Sequence, residues 1–455
     1  MLRAANIAAT AGVRAIAIVT TGFLKQAAAI ANVLGAADVP IVEYPGTIPL
    51  ESPQEIRAKA ADSVAPAVVS ALSESGAQKS SESDASPSPR ESIFVGPIDG
   101  VHEYFLDHGW TDGLPIIPPT LERVERFLDH TPREATESLG VLPPEYREAT
   151  VWSVAVNGVM TGCRPEYMPI LIAAAEAIAD PWFRLQDAGS TPGWEPLVIL
   201  SGPMVKRLGF STGSGLMRFG PQANTSVGRF LKLYMRNVAG LRQPPGGTDK
   251  GSIGASMNVA LAEDEAATAE LGWPTFREDL GYSKTDDVVT VQSVYAISPP
   301  VYSGGDAAEP HLEVLTHFLE TTCGPWTFTG IAWEAWYPLL LLGPSVARVL
   351  ASSGITKDGL RQHLFETCTV EARWLEIYPH HLGANGYDLS TLIREGRMSE
   401  AYSVSDDPNR RVPVLLRPEW TNILVAGDPG RNQSRYYINN HEQGRPTSRL
   451  VQWHG

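Results

Sequence analysis

Four stretches of this chain concentrate residue types that do chemistry. The first, Asn157-Gly-Val-Met-Thr-Gly-Cys163-Arg164-Pro165-Glu166, sets a cysteine between a glycine and an arginine, just ahead of a Pro-Glu helix start. A neighbouring cation and a helix N-terminus both favour the thiolate, so Cys163 reads as a nucleophile or redox thiol, with Arg164 and Glu166 beside it. The opposing reading is a small apolar side chain filling a turn, as free cysteines commonly do. The second stretch, Gly209 to Gly220 (GFSTGSGLMRFG), leads into Asn224, Thr225 and Arg229. Gly and Ser ahead of a helix expose backbone N–H groups that can cradle an anion, and Arg229 adds charge. It matches neither a Walker loop nor a G-x-G-x-x-G following a strand, so a plain surface loop is the competing reading.

The third stretch follows an apolar run near the C-terminus: Gly427-Asp428-Pro-Gly-Arg-Asn432-Gln-Ser. A strand breaking into such a loop is how α/β folds present polar groups to a ligand. An Asx-type turn is the alternative. With Asn157, Asn224, Thr225 and Arg229, the residues Gly427, Asp428 and Asn432 complete the set expected to bind substrate. The fourth stretch, His108-Gly-Trp-Thr-Asp112 followed by Gly-Leu-Pro-Ile-Ile-Pro-Pro, holds a histidine and a carboxylate that could do acid–base work if they meet in space. His380-His381 are adjacent and do not share a face, and the three cysteines show no Cys-x-x-Cys pair or zinc-ligand spacing, so no metal site is expected and no cofactor is indicated.

The elements that must carry these residues follow from composition and period. At 455 residues and 43% hydrophobic, the chain has apolar material for two to three domains of roughly 150 residues. Its formal charge of -15 argues against a phosphate-tracking nucleic-acid surface. No apolar run approaches the roughly 20 residues a membrane helix needs. Few, scattered cysteines suggest a reducing, cytoplasmic setting. The acid-poor N-terminus, with Arg3, Arg14 and Lys25, gives a weak transit-peptide look that makes mitochondrial import the lesser alternative.

The front reads strand (Ala15 to Thr20), helix (Phe23 to Leu34), strand (Pro40 to Tyr44) and amphipathic helix (Ser52 to Leu72), which implies a parallel sheet too small to stand alone. Residues 73–95, rich in Ser, Asp, Glu and Pro, read as a disordered linker. In the body, Pro196-Leu-Val-Ile-Leu-Ser-Gly-Pro203 echoes Pro338-Leu-Leu-Leu-Leu-Gly-Pro344. Thr150-Val-Trp-Ser-Val154 echoes Thr290-Val-Gln-Ser-Val294, and Pro181-Trp182 echoes Pro325-Trp326, all at nearly one spacing. The expectation is an α/β protein of a truncated front segment (1–72), a linker (73–95) and two similar α/β halves (96–289 and 290–455). Met168 to Ala179 is apolar nearly all round and should be a buried helix.

At the front, AIVTTGFLKQAAAIANVLGAADVPIVEYPG and SPQEIRAKA resemble the C-terminal half of UGSC-family (seleno)proteins. GWTDGLPIIPPT, AVNGVMTGCRPEYMPILIAAAEA, ANTSVGRFLKL and ILVAGDPGRNQS resemble the large proteins that accompany UGSC proteins in bacteria. The resemblance implies thiol redox chemistry on a Sec/Cys-Gly-Ser-Cys loop. No such loop occurs in this sequence, and Val19 and Thr20 stand where relatives often carry a cysteine after the strand. The expectation drawn from that departure is that the loop-bearing half is absent ahead of Met1: either a second chain supplies it, or the N-terminus is incomplete, or this protein has dropped that chemistry, and the segment is completed by a UGSC-type chain, a second copy or the main body.

Together these readings point to an enzyme acting on a small anionic or carbonyl metabolite, thiol- or redox-linked through Cys163. The alternatives are a non-catalytic binding or scaffold subunit beside a UGSC-type redox chain, and a cysteine-independent lyase or hydratase using His108 and Asp112. Residues 1–72 expressed alone should lack cooperative structure, because two strands leave unpaired edges. A cooperative thermal transition from that fragment as a monomer would contradict the reading.

Overall fold

The computed structural model describes residues 2–21, 24, 27–28, 31, 36, 39–46, 51–73, 90–188, 193–242, 256–323, 335–376, 393–396, 402, 405–440 and 443–453. The chain divides into two compact units, residues 1–88 with 376–388, and residues 89–375 with 389–455.

In the first unit, helix α1 (Leu2–Thr10) precedes strands β1 (Ala17–Thr20) and β2 (Ile41–Tyr44). The strands pair in parallel, Ala17 opposite Ile41 through Thr20 opposite Tyr44. The expected helix at 23–34 lies largely outside the described residues, as does the linker over 74–89. The helical run after β2 starts where the sequence placed it. Ser52 caps it, accepting the Glu55 N–H while the Glu55 carboxylate accepts the Ser52 N–H at 2.8 Å. It continues as α2 (Pro53–Lys59), a π turn (Ala60–Val64) and α3 (Ala65–Ser73).

The second unit begins earlier than expected. Arg90 pairs with Glu125 at 2.9 Å and Phe94 stacks on Tyr104, so the end of the presumed linker is packed. Helices α4 (Ile98–Asp107) and α5 (Leu121–Leu128) and the hairpin β3 (Ser138–Leu142) and β4 (Arg147–Thr150) lead into α6 (Val151–Met160) and α7 (Met168–Ala179). The last is buried nearly all round, as its composition demands.

The remaining strands build one eight-stranded sheet. In chain order they are β5 (Glu195–Ser201), β6 (Leu261–Ala262), β7 (Val288–Ile297), β8 (Val301–Tyr302), β9 (Leu339–Leu342), β12 (Asn422–Val425), β13 (Gln433–Asn439) and β14 (Thr447–Leu450). A separate antiparallel pair, β10 (Thr369–Glu371) with β11 (Arg411–Pro413), lies between β9 and β12 in the chain. The main sheet runs β12-β9-β13-β7-β5-β6. It contains the same three-strand arrangement twice. β5 has β6 parallel on one side and β7 antiparallel on the other, and β9 has β12 parallel and β13 antiparallel. The two sets join through antiparallel β7 and β13.

One of the sequence echoes needs correction. Thr150 caps helix α6, whereas Thr290 to Val294 lies inside strand β7, so that match joins unlike structures. The boundary at 289/290 also cuts through β7. The Pro325-Trp326 match lies outside the described residues. The Gly-Pro echo matches in kind: β5 and β9 each lead through Gly-Pro into a helix, α8 (Met204–Arg207) after Gly202 and a longer α11 (Pro344–Ser352) after Gly343. The helices between these, α9 (Gln222–Tyr234) and α10 (Ala308–Cys323), and α12 (Lys357–Thr367) beyond them, complete the helical set used below.

Alternation sorts the sheet into two faces. Val198, Leu200, Val289 and Val291 pack against α6, α7 and α9, while Leu340, Leu342, Ile423 and Val425 pack against α10, α11 and α12. The intervening residues Leu197, Ile199, Leu261, Leu339, Leu341, Leu424 and Tyr437 form a separate cluster on the opposite face. Gly228 on α9 sets how close that helix lies to the lead-in of β6, since a Cβ there would stand 2.6 Å from the Val259 nitrogen. Gly228→Ala should therefore cost about 1–3 kcal/mol through overpacking against backbone. A lowered midpoint in chemical denaturation is the expected result; an unchanged midpoint would mean the helix can shift freely.

Candidate functional site

Strands β9 and β12 end side by side, and the chain beyond each is held by backbone bonds. The Ala426 N–H donates to the Leu342 carbonyl at 3.2 Å, and the Gly427 N–H donates to the Thr212 carbonyl at 2.8 Å. Gly427 has φ +121°, a conformation that a side chain would strain. One residue on, the Asp428 carboxylate accepts the Ser214 hydroxyl at 2.6 Å and the Gly430 N–H at 2.9 Å. The Gly/Ser loop and the Gly-Asp-Pro-Gly loop, read separately in the sequence, thus clasp each other.

Between them lies a cavity of about 560 Å³. Leu341, Met257, Ile297 and Tyr437 supply its apolar floor, continuous with the cluster on that sheet face. Arg218, Arg431 and Arg435 line it, together with Gln433, Ser434, Ala426 and the loop residues Leu216 to Phe219. The Arg435 guanidinium donates to the Ser298 carbonyl at 3.0 Å. Among the described residues none of these three arginines forms an ion pair, while Asp428 is the one acidic residue lining the cavity. The hydrogen bond from Ser214, the Gly430 N–H and the charge of Arg431 hold the Asp428 carboxyl below the usual carboxylate range. It is therefore ionised at neutral pH and poorly suited to act as a general acid. Burial pushes the Tyr437 phenol up to about 12, so it stays protonated. The Asn258 side-chain oxygen, also at the cavity, is buried with no hydrogen-bond partner among the described residues.

The loop is positioned by a residue expected to bind substrate. Asn224 is buried; its carbonyl accepts the Ser211 N–H at 2.8 Å and its amide donates to the Ser211 and Ala260 carbonyls, each at 3.0 Å. It staples the loop to the lead-in of β6 and is satisfied in doing so. Thr225 accepts the Gly220 N–H at 3.4 Å, closing the other end of the loop. The first turn of α9 does not line the cavity, so the expected anion cradle at that helix start is corrected: the loop's glycines face the ligand space, and the helix behind them anchors the loop.

The remaining candidates lie elsewhere. Arg229 makes a two-pronged ion pair with Asp112, both contacts 2.8 Å, and also donates to the Pro115 carbonyl at 3.0 Å. Burial pushes the Asp112 carboxyl up, but the hydrogen bonds and charge of Arg229 outweigh it and the net shift is downward. Arg229 is thus committed to tying the 108–119 loop to α9. His108 is exposed, donates from Nδ1–H to the Tyr104 carbonyl at 2.7 Å and packs tilted against the rings of Tyr104 and Trp110. His108 and Asp112 therefore have separate partners, and the hypothetical pair does not form. Asn157 is buried, bridging the Ser153 carbonyl and the Asn237 amide. Asn432 is half-buried just ahead of β13 and does not line the cavity.

Cys163 reverses the expectation placed on it. The thiol is buried against Thr161, 3.6 Å away, while Arg164 and Glu166 turn outward and are exposed. Burial pushes the Cys163 thiol up to about 11, with Thr161, Ser226 and Arg229 only partly offsetting it. Cys323 and Cys368 are buried as well. The arginines that define the cavity were overlooked in the sequence, although Arg218 and Arg431 stand inside the two Gly-rich motifs. Counting cations within those motifs would have found them. Among the described residues no cluster of His, Cys, Asp or Glu has the makings of a metal site, and no helix is long and apolar enough to cross a membrane.

Thiolate is the reactive form, so folded-state alkylation of Cys163 at pH 8 should be roughly a hundredfold or more slower than in denatured protein, rising as pH approaches 11. Iodoacetamide labelling followed by peptide mass analysis measures this. Rapid labelling of Cys163 at pH 7 in folded protein would restore the activated-thiol reading.

No curated protein and no solved structure matches the chain. Residues 2–74 of the chain match the UGSC family.

Proposed function

We propose that the body of this protein binds a small anionic metabolite in the cavity at the carboxyl ends of β9 and β12, and acts on it there. The observation that carries this reading is the set Arg218, Arg431 and Arg435, which lines a cavity of about 560 Å³ without an ion-paired carboxylate among the described residues. In a chain with net charge -15, a local excess of guanidinium groups is a focused positive potential that draws anions. Guanidinium groups match carboxylate and phosphate oxygens geometrically, and a partly enclosed site strengthens such contacts. The volume lies in the range of small-molecule sites, and the apolar floor with few polar groups is their usual make-up. Asp428, held ionised, orients the loop and offers a fixed acceptor to a ligand hydroxyl or amine. The buried thiol of Cys163 takes no part in this reading.

A second reading has its own support. The segment at 2–74 that matches the UGSC family contains a two-stranded parallel sheet, and a UGSC-type redox chain or a second copy adding strands to it would make the body a ligand-holding subunit of a redox pair.

Titration calorimetry of the full chain with inorganic phosphate, phenylacetate and the cation benzylamine tests the anion reading. At least one anion should bind and benzylamine should not. Arg435→Gln should weaken the bound anion roughly 10-fold or more, as expected for loss of a charge-assisted hydrogen bond. Binding of benzylamine as tightly as the anions, or anion binding unchanged in both Arg435→Gln and Arg431→Gln, would overturn it.

A further inference from the structure

The repeated three-strand arrangement allows the two ends of the sheet to be compared residue by residue. β5 and β6 pair with Ile199 opposite Leu261 and Leu200 opposite Ala262; β9 and β12 pair with Leu341 opposite Leu424 and Leu342 opposite Val425. The next backbone bond is the same in both places. The Glu263 N–H donates to the Leu200 carbonyl at 2.9 Å, and the Ala426 N–H donates to the Leu342 carbonyl at 3.2 Å. Glu263 and Ala426 are therefore structural counterparts, one residue past the end of each parallel pair. Alternation sends both side chains to the same sheet face: Ala426 belongs to the apolar cluster there, and Glu263 bonds Phe276 of that cluster.

What stands at the two positions differs in one respect. In the first half the Glu263 side chain is fully buried and its carboxylate accepts the Ser201 hydroxyl at 2.5 Å and the Phe276 N–H at 2.8 and 3.0 Å. The buried cation Arg277 donates to the same Ser201 hydroxyl at 3.3 Å. In the second half the counterpart is a methyl group, and the space beyond it is the arginine-lined cavity. The first half carries a carboxylate of its own where the second half leaves room for one and supplies guanidinium groups.

We propose that the ligand of this cavity is a carboxylic acid with an apolar body. Its carboxylate lies beside Ala426, in the place that the Glu263 carboxylate fills in the first half. Its body lies over Leu341, Met257 and Ile297 beneath the Phe219 rim. This assignment rests on the reading of the cavity as an anion site and narrows it to one head group. Phe219 is 72% exposed, an unusual position for a phenyl ring unless something packs beneath it. A fully polar anion such as phosphate would leave that floor and ring without a partner.

The test uses the full chain and three probes: phenylacetate, its neutral isostere phenylacetamide, and inorganic phosphate. Phenylacetate should bind at least 10-fold more tightly than either of the others. Ala426→Glu places an internal carboxylate where the ligand head belongs and should weaken phenylacetate by 10-fold or more, with the thermal midpoint retained. If that variant does not fold, the three-probe comparison on the native chain decides alone. Phosphate binding more tightly than phenylacetate, with Arg435→Gln abolishing it, would overturn the carboxylate assignment while leaving the anion site standing. Phenylacetate binding that Ala426→Glu leaves intact in folded protein would overturn the placement of the head group. Failure of both anions to bind would overturn the anion site and this assignment together.

Discussion

The antiparallel seam between β7 and β13 is the constraint on which the body of the protein depends. Each three-strand set, alone, would present the backbone groups of its outer antiparallel strand to solvent or to another chain. Pairing Tyr437 with Ile297 and Asn439 with Val294 satisfies both edges at once and makes one continuous sheet. Because the seam is antiparallel, the two parallel pairs run in opposite directions. Beyond these pairs the Asp264 N–H, next to Glu263, donates to the Val425 carbonyl, next to Ala426, at 2.9 Å, so the Glu263 cluster and the cavity lie on either side of a direct contact between the two halves.

The two ends solve one electrostatic problem in different ways. At the first, buried charges are paired internally: Glu263 with backbone and hydroxyl donors, and Asp279 with Lys357 at 2.6 Å and Arg361 at 2.7 Å. Burial raises the Glu263 carboxyl, opposed by the charge of Lys357 and the bond from Ser201, and that balance is tolerable only because every acceptor site is engaged. At the second end Arg218, Arg431 and Arg435 line a cavity, with no ion pair to any of them among the described residues. Removing water from unpaired guanidinium groups costs free energy, so they stay at a solvent-reachable cavity wall rather than entering the core. An end built of paired charges is a structural plug, whereas an end with unpaired cations is a place for a counter-charge.

The polar residues that look most reactive in the sequence prove to be fasteners. Arg229 and Asp112 tie a Pro-rich loop to α9, Asn157 ties α6 to Asn237, and Asn224 holds the Gly/Ser loop against β6. Each sits beside the helical face of the sheet or behind the loop, so the cavity's own side chains need only point outward from a rigid base. Clasped at Thr212 and Ser214 by the Gly427-Asp428 turn, the loop keeps Arg218 and Phe219 at the rim without a helix beneath them.

Local features were legible from residues alone. The apolar runs Leu197 to Leu200 and Leu339 to Leu342 are strands, Met168 to Ala179 is a buried helix, Ser52 starts a helix, and the two Gly-Pro pairs turn strands into helices. These depend on backbone preferences and side-chain periodicity over a few residues, which neighbours in sequence determine. Tertiary structure decided the rest. Thr150 to Val154 and Thr290 to Val294 share a pattern yet became a helix and a strand, because pairing partners distant in the chain override a short motif. Cys163 has the right neighbours in sequence for a reactive thiol, but its burial outweighs the opposing effects of Thr161, Ser226 and Arg229, and the adjacent Arg164 turns outward. Arg229 looked like an anion ligand until Asp112, more than a hundred residues earlier, took its charge. Which cations lack an ion pair among the described residues is decided by the whole fold, so the cavity's arginines acquire their meaning only once the loops and strands that carry them are in place.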